Sequence, residues 1–241
     1  MLDWLRRRPS APPVVTIGEC RLPVTIRRLP QAKQMTLRVA PDGSEIRISI
    51  PRWARDEDAL DFVTLRKDWI AAQLARQAPR VAIGPGKAVP YRGTPHALHH
   101  DPALPRRIGI DGGTIRIGGP ADGLDKRLAR WLQAESRGLF AADLADYCHR
   151  AGVTAPALAL SSAQARWGSC SARGVVRINW RLVMAPDAVR RSVVAHEVAH
   201  LVHFNHSPAF HALLAQVFEG DVADANGWLK RHGRGLYAPF G

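Results

Sequence analysis

Five of the ten histidines of this 241-residue chain fall within "HEVAHLVHFNHSPAFH", residues 196 to 211. His196 and His200 are four apart, so on a helix their imidazoles project from one face and can reach one metal ion. Glu197 lies alongside to take a proton from a water that the metal polarises. This His-Glu-x-x-His pattern leaves a hydrolytic zinc centre one protein ligand short, because such centres take three and keep a fourth position for water. Four residues compete for that place. His203 shares the face but rises about 10.5 Å along the axis from His196, at 1.5 Å per residue. Glu219 and Asp221 stand where a following helix could supply a carboxylate, provided the chain near Gly220 points inward. His206 falls where the first helix must break before Ser207-Pro208, so the chain can turn and bring its imidazole back, and it is the favoured third ligand. His203 and His211 then read as partly buried neighbours.

The elements that must position these side chains are visible on both sides. Pro186 and Asp187 mark a helix start, proline being tolerated in a first turn and an acid favoured by the dipole. The pattern runs through "AVRRSVVAHEVAHLVHF". A second helix restarts with Ser207 as N-cap and Pro208 at its first position, ending before Gly220. Upstream, "APALALSS" predicts a short strand and "ARWGSCSARGVVRINWRLVMAP" a hairpin turning at "SARG". In its second arm Val176, Ile178, Trp180 and Leu182 alternate with Arg177, Asn179 and Arg181, one face for the core and the other free for a ligand. Arg166, Asn179 and Arg181 are therefore candidate substrate contacts. Trp167 and Trp180 read as packing residues, and Cys170 as a small core residue.

The N-terminal half predicts two hairpins. Met35, Leu37 and Val39 oppose Ile46, Ile48 and Ile50 across "PDGS", and Ile108 and Ile110 oppose Ile115 and Ile117 around "DGG". A helix follows each, from Asp56 to about Gln77 and from about Leu124 to Arg150. The "DGS-EIRI" and "DGGTIRI" segments form a two-copy echo without a solenoid period. "GPGKAVPYRGTPHALHHDPALP" reads as a loop with one short strand, and its His96, His99 and His100 lack a carboxylate or cysteine at ligand spacing. The fold class is α+β, divided into an N-terminal hairpin and helix region, 1–120, and a catalytic region, 121–241.

Composition narrows the class. With 46% hydrophobic and 23% charged residues the chain is a globular protein, not a disordered one. Its three cysteines are too few and scattered for a disulfide framework. No apolar run behind "MLDWLRRRPSAPP" resembles a leader, so a cytoplasmic protein with no membrane partner is expected. The net charge of +13 invites an anionic partner. It is spread along the chain, and arginine outnumbers lysine 29 to 5, as a GC-rich coding sequence would also produce.

With HEVAH, the break at "NHSPAFH" and the preceding "RWGSCSARGVVRINWRLVMAP" in place, the sequence resembles the YgjP-like metallopeptidase family, related to the SprT-like and WLM zincins. The resemblance implies a small zincin core in which a short sheet lays its edge strand beside the active-site helix. It also implies one Zn2+ per chain on His196, His200 and His206, with Glu197 as catalytic base. The spacing of the three histidines equals that of metzincins, but His203 replaces the glycine expected there and no methionine follows to form a Met-turn. The leading expectation is a zinc-dependent peptidase acting on a peptide or protein. A nucleotide pyrophosphatase activity also attached to the family suggests a metal-dependent UTP hydrolase, with Arg166, Arg177 and Arg181 near the phosphates. A third expectation is a nucleic-acid-associated protein whose metal site is non-catalytic.

Overall fold

Isoleucine and valine at every second position form strands because their branched side chains pack well on one pleated face. In the computed structural model, which describes residues 12–40, 43–75, 83–171 and 174–240, that alternation builds three sheets. The architecture is α+β, and the chain divides into two units, Met1–Pro79 and Arg80–Phe240.

In the first unit, strands β1 (Val14–Ile17), β2 (Cys20–Arg28), β3 (Thr36–Val39) and β4 (Ile46–Ile50) make a sheet of order β1-β2-β4-β3. Strands β2 and β4 are parallel; the outer pairs are antiparallel. The expected hairpin is present, with Leu37 opposite Ile48 and Val39 opposite Ile46; Pro41 and Asp42 of its turn lie outside the described residues. The helix expected from Asp56 to about Gln77 is two, α1 (Asp56–Leu65) and α2 (Lys67–Ala75), separated at Arg66. Gln77 lies outside the described residues. Ile46, Ile48 and Ile50 bury one sheet face against Ala59, Val63 and Ile70 of the helices.

The second unit opens on the same plan. Strands β5 (Ala88–Tyr91), β6 (Thr94–Asp101), β7 (Ile108–Asp111) and β8 (Thr114–Gly118) take the order β5-β6-β8-β7, again with a parallel middle pair, and α3 (Leu124–Arg150) follows. The sequence echo is thus a repeated topology, in which Ile115 and Ile117 hold the places of Ile46 and Ile48. Gly112 and Gly113, at φ +52° and +77°, form the β7–β8 turn that needs left-handed residues. The segment read as mostly loop is the β5–β6 hairpin. Its prolines hid it, yet Pro90 lies on an edge strand and Pro95 precedes the pairing with β8, so neither removes a rung between strands.

A division at residue 120 falls inside this unit. Val89, Leu98, Ile115 and Ile117 of the sheet and Leu124, Leu128 and Leu132 of α3 belong to one apolar core, which continues through the rest of the chain. Strands β9 (Leu158–Ser161), β10 (Gly168–Cys170) and β11 (Val176–Asn179) form a sheet of order β10-β11-β9. A 3-10 turn (Trp180–Met184) leads to α4 (Asp187–Val202), then α5 (Pro208–Val217), α6 (Val222–His232) and a second 3-10 turn (Gly233–Tyr237). Among the described residues no helix is long and apolar enough to cross a membrane.

Candidate metal centre

Helix α4 carries His196, Glu197 and His200. It ends at Val202, where His203 turns extended (φ −126°, ψ 106°). Helix α5 restarts as expected, with Ser207 as N-cap, its hydroxyl accepting the Phe210 N–H, and Pro208 in the first turn. The intervening turn brings His206 back over the first two histidines.

The three imidazoles converge. Ring centroids lie 4.8 Å apart for His196 and His200, 4.7 Å for His200 and His206, and 5.1 Å for His196 and His206. One nitrogen from each lies within 4.8 Å of the others, the only such group of three metal-binding side chains among the described residues. The Nε2 atoms of His196 and His206 are 3.1 Å apart. Metal–nitrogen bonds of 2.0–2.1 Å in a tetrahedron require about 3.3–3.4 Å between ligand atoms, so this spacing is close to that of a shared zinc-sized cation. Burial, reinforced by the neighbouring histidines, pushes His196 down to about 4, which keeps it neutral with a lone pair to donate. Nδ1 of His200 donates to the His203 carbonyl at 3.0 Å, leaving its Nε2 for a metal. His203 therefore acts through its backbone.

A fully buried phenylalanine, Phe210, backs all three imidazoles at 4.6–4.9 Å between centroids. The sequence offers a signal for it only in hindsight: it stands three residues after the N-cap, where a helix turns its first apolar side chain inward.

Glu197 is 5% exposed. Burial raises its pKa to about 7, against the pull of the Arg166 charge and a backbone hydrogen bond from Cys170. Its Oε2 is buried without a hydrogen-bond partner. Strand β10, the edge of its sheet, packs so closely that a Cβ on Gly168 would stand 2.7 Å from Glu197 Cγ and 2.8 Å from its Cδ. Only glycine fits there.

The other expected site residues separate. Arg166 is exposed and its charge reaches Glu197. Asn179 and Arg181 are not on a solvent-facing ligand face. The alternation stops at Asn179, where the chain coils into the 3-10 turn, and both side chains are buried. Asn179 Nδ2 donates to the Ala163 carbonyl and to the Tyr237 hydroxyl, and Tyr237 donates to the same carbonyl. The Arg181 guanidinium lies 4.6 Å from the Trp180 and Tyr237 ring centres and donates to the Phe240 carbonyl. Asn179 and Tyr237 thus brace the segment 162–167 that carries Arg166 through Ala163, while Arg181 ties Phe240 to the two rings.

Glu219 and Asp221 are engaged elsewhere. Glu219 accepts from Tyr147, Arg150 and Arg191, and Asp221 caps α6. Of the loop histidines, His96 contacts the Thr94 carbonyl and His100 the Gly119 carbonyl, from strand β6.

Two imidazoles and a buried carboxylate from α4, met by a third imidazole from the turn beyond it, make a cluster that could hold a metal ion. Comparison with known families matches residues 33–232 to the YgjP-like, metallopeptidase domain, and the chain belongs to that family. No curated protein and no solved structure matches it.

Proposed function

We propose that the chain is a zinc-dependent peptidase. The observation that carries this reading is the juxtaposition of three imidazole nitrogens within 4.8 Å with the unpartnered Oε2 of buried Glu197. His196, His200 and His206 would hold one ion per chain, which when bound polarises the attacking water and the scissile carbonyl. Glu197 is the general base and then the general acid: its free oxygen takes the water's proton and delivers it to the leaving amine. The Cys170 N–H fixes the carboxylate, and Gly168 allows it to lie against the strand. The edge strand β10 offers backbone groups to an extended peptide. Arg166 is the substrate contact; Asn179 and Tyr237 hold its segment in place through the Ala163 carbonyl.

The phosphoanhydride alternative is weaker than the sequence implied, because Arg181 is buried between two aromatic rings. The decisive experiment assays bound zinc, cleavage of an unfolded protein and hydrolysis of UTP side by side, with and without chelator, for wild type and Glu197→Gln. Proteolysis lost on chelation and in Glu197→Gln, with zinc retained by the variant, is the expected result. Chelator-sensitive UTP hydrolysis without proteolysis would favour the nucleotide reading. Hydrolysis surviving both treatments would overturn both, and nucleic-acid binding with no hydrolysis would favour the non-catalytic one.

A further inference from the structure

The two four-stranded sheets share one strand order, and their uncovered faces differ in charge. In the first, β2 turns Leu22 and Val24 toward the helices and Arg21, Thr25 and Arg27 away from them. Register sets these in rows. Thr25, Arg47 and Arg38 lie side by side across β2, β4 and β3; Arg27, Ser49 and Thr36 form the next row, and Arg21 stands opposite Thr16 on β1. Arg47 is tied to Glu45 at 2.6 Å, and Glu45 also accepts from Thr25. Arg21, Arg27 and Arg38 are exposed, and among the described residues no carboxylate pairs with them.

The fold does not demand this. Arg38 lies directly opposite Arg47, and like charges in that position destabilise a sheet. Arg28, whose strand position faces the helices, is paired with Asp56 at 2.8 Å. In the second sheet Arg116, in the place of Arg47, pairs with Asp111 at 3.0 Å. Among the described strands of the two four-stranded sheets, the bare arginines lie on this one face.

We propose that this face binds duplex nucleic acid through its phosphate backbone, without reading base sequence. Arginine forks match phosphate oxygens, and the interleaved threonine and serine hydroxyls add donors. Arg21 and Arg27 are six residues apart on one strand, about 20 Å at ~3.3 Å per residue. A duplex carries about a dozen phosphates over that length. A protein partner would require an apolar centre, a lipid surface apolar anchors, and a single strand aromatic rings for stacking. The arginine rows of this face contain none of these; Val14 and Pro23, paired between Arg21 and Thr25, are an isolated apolar pair too small for the apolar centre of a protein interface. The inference does not depend on the metal centre or on peptidase activity.

The test is fluorescence anisotropy of the full chain with a labelled duplex of about 20 base pairs, the matching single strand, and polyglutamate as competitor, between about 50 and 200 mM salt. Arg21→Gln/Arg27→Gln/Arg38→Gln should reduce the slope of log K against log salt by about 2.7, at ~0.9 per phosphate contact. The corresponding triple lysine variant should keep the wild-type slope, and Arg27→Gln alone should lower it by about 0.9. Removing three charges elsewhere in the unit, Arg52→Gln/Arg66→Gln/Lys67→Gln, should leave it unchanged. Melting followed by circular dichroism should show the first triple folded and no less stable than wild type. Equal losses in the two glutamine triples, no duplex binding by wild type, tighter binding to the single strand, or competition by polyglutamate at equal charge would each overturn the proposal.

Discussion

Glu197 is held by what its neighbours lack as much as by what they offer. Gly168 contributes no side chain, and a Cβ there would press on Glu197 Cγ and Cδ inside a buried pocket. Gly168→Ala should therefore displace the carboxylate while leaving the three imidazoles in place. The expected result is a fall in kcat/KM of about 10²-fold or more, the scale of general-base catalysis, with unchanged bound metal by elemental analysis. Undiminished turnover would show that the close approach is irrelevant. His203 and His206 make the complementary pair. The carbonyl of His203, not its ring, accepts from His200, so His203→Ala should retain metal and His206→Ala should lose it. Retention by both would remove His206 from the ligand set. At this scale the cluster was legible in two ways: helical spacing puts His196 and His200 on one face with Glu197 alongside, and the break before Ser207-Pro208 returns His206 to them. Gly168 was not, since nothing in "WGSC" says which side chain a strand will lie against.

Helix α4, which carries His196, Glu197 and His200, is fixed by a charged brace. Arg190 and Asp143, each with a side chain 4% exposed, meet at 2.7 Å between α4 and α3, and Asp187 also accepts from Arg190. Arg191 joins Asp143, Asp146 and Glu219. Asp143→Ala strands a buried guanidinium. With Asp187 still in place, the cost should be near the lower end of the range for broken buried pairs, about 3 kcal/mol. For a unit of this size that is a melting temperature lower by roughly 6–12 °C. Calorimetry of the variant checks it; a change within error would make the pair energetically idle. The brace joins residues about fifty apart in sequence, which is why arginine and aspartate types alone did not reveal it. The helices themselves were readable from their first turns: Ser207-Pro208 marked α5, and Pro186-Asp187 marked α4. Strand β11 was read three residues too far, because Trp180 and Leu182 are as apolar in a 3-10 turn as in a strand. The prolines of β5 and β6 produced the opposite error.

At the scale of the whole chain, two separate apolar cores define two units, each begun by the same four-strand order. The "EIRI" and "TIRI" echo was visible in the sequence, but strand order depends on pairing across distant segments, and the continuity of the second core across residue 120 depends on which helix covers which sheet. The units should respond differently to metal and acid, because the histidines and the brace all belong to Arg80–Phe240. A ligand bound only by the folded state stabilises it, so chelation should lower the melting transition of that unit and leave the other in place. Glu219 gives the acid response. Burial would raise its pKa, but hydrogen bonds from Arg191 and Tyr147 outweigh that and hold it at about 2 against an ordinary 4.5. A depressed carboxylate contributes stability that is fully present above its unfolded value and is lost as pH falls through its folded one. The window is therefore pH 4.5 down to about 2. Asp187, lowered by Arg92 and Arg190 against its burial, and Asp146, lowered by Arg191 and Arg150, add to the same trend. Calorimetry of the chelated protein between pH 5 and 2 should show this unit's melting temperature falling steeply, with a shallower fall in Glu219→Gln. The same slope in wild type and variant would show that Glu219 does not couple folding to protons.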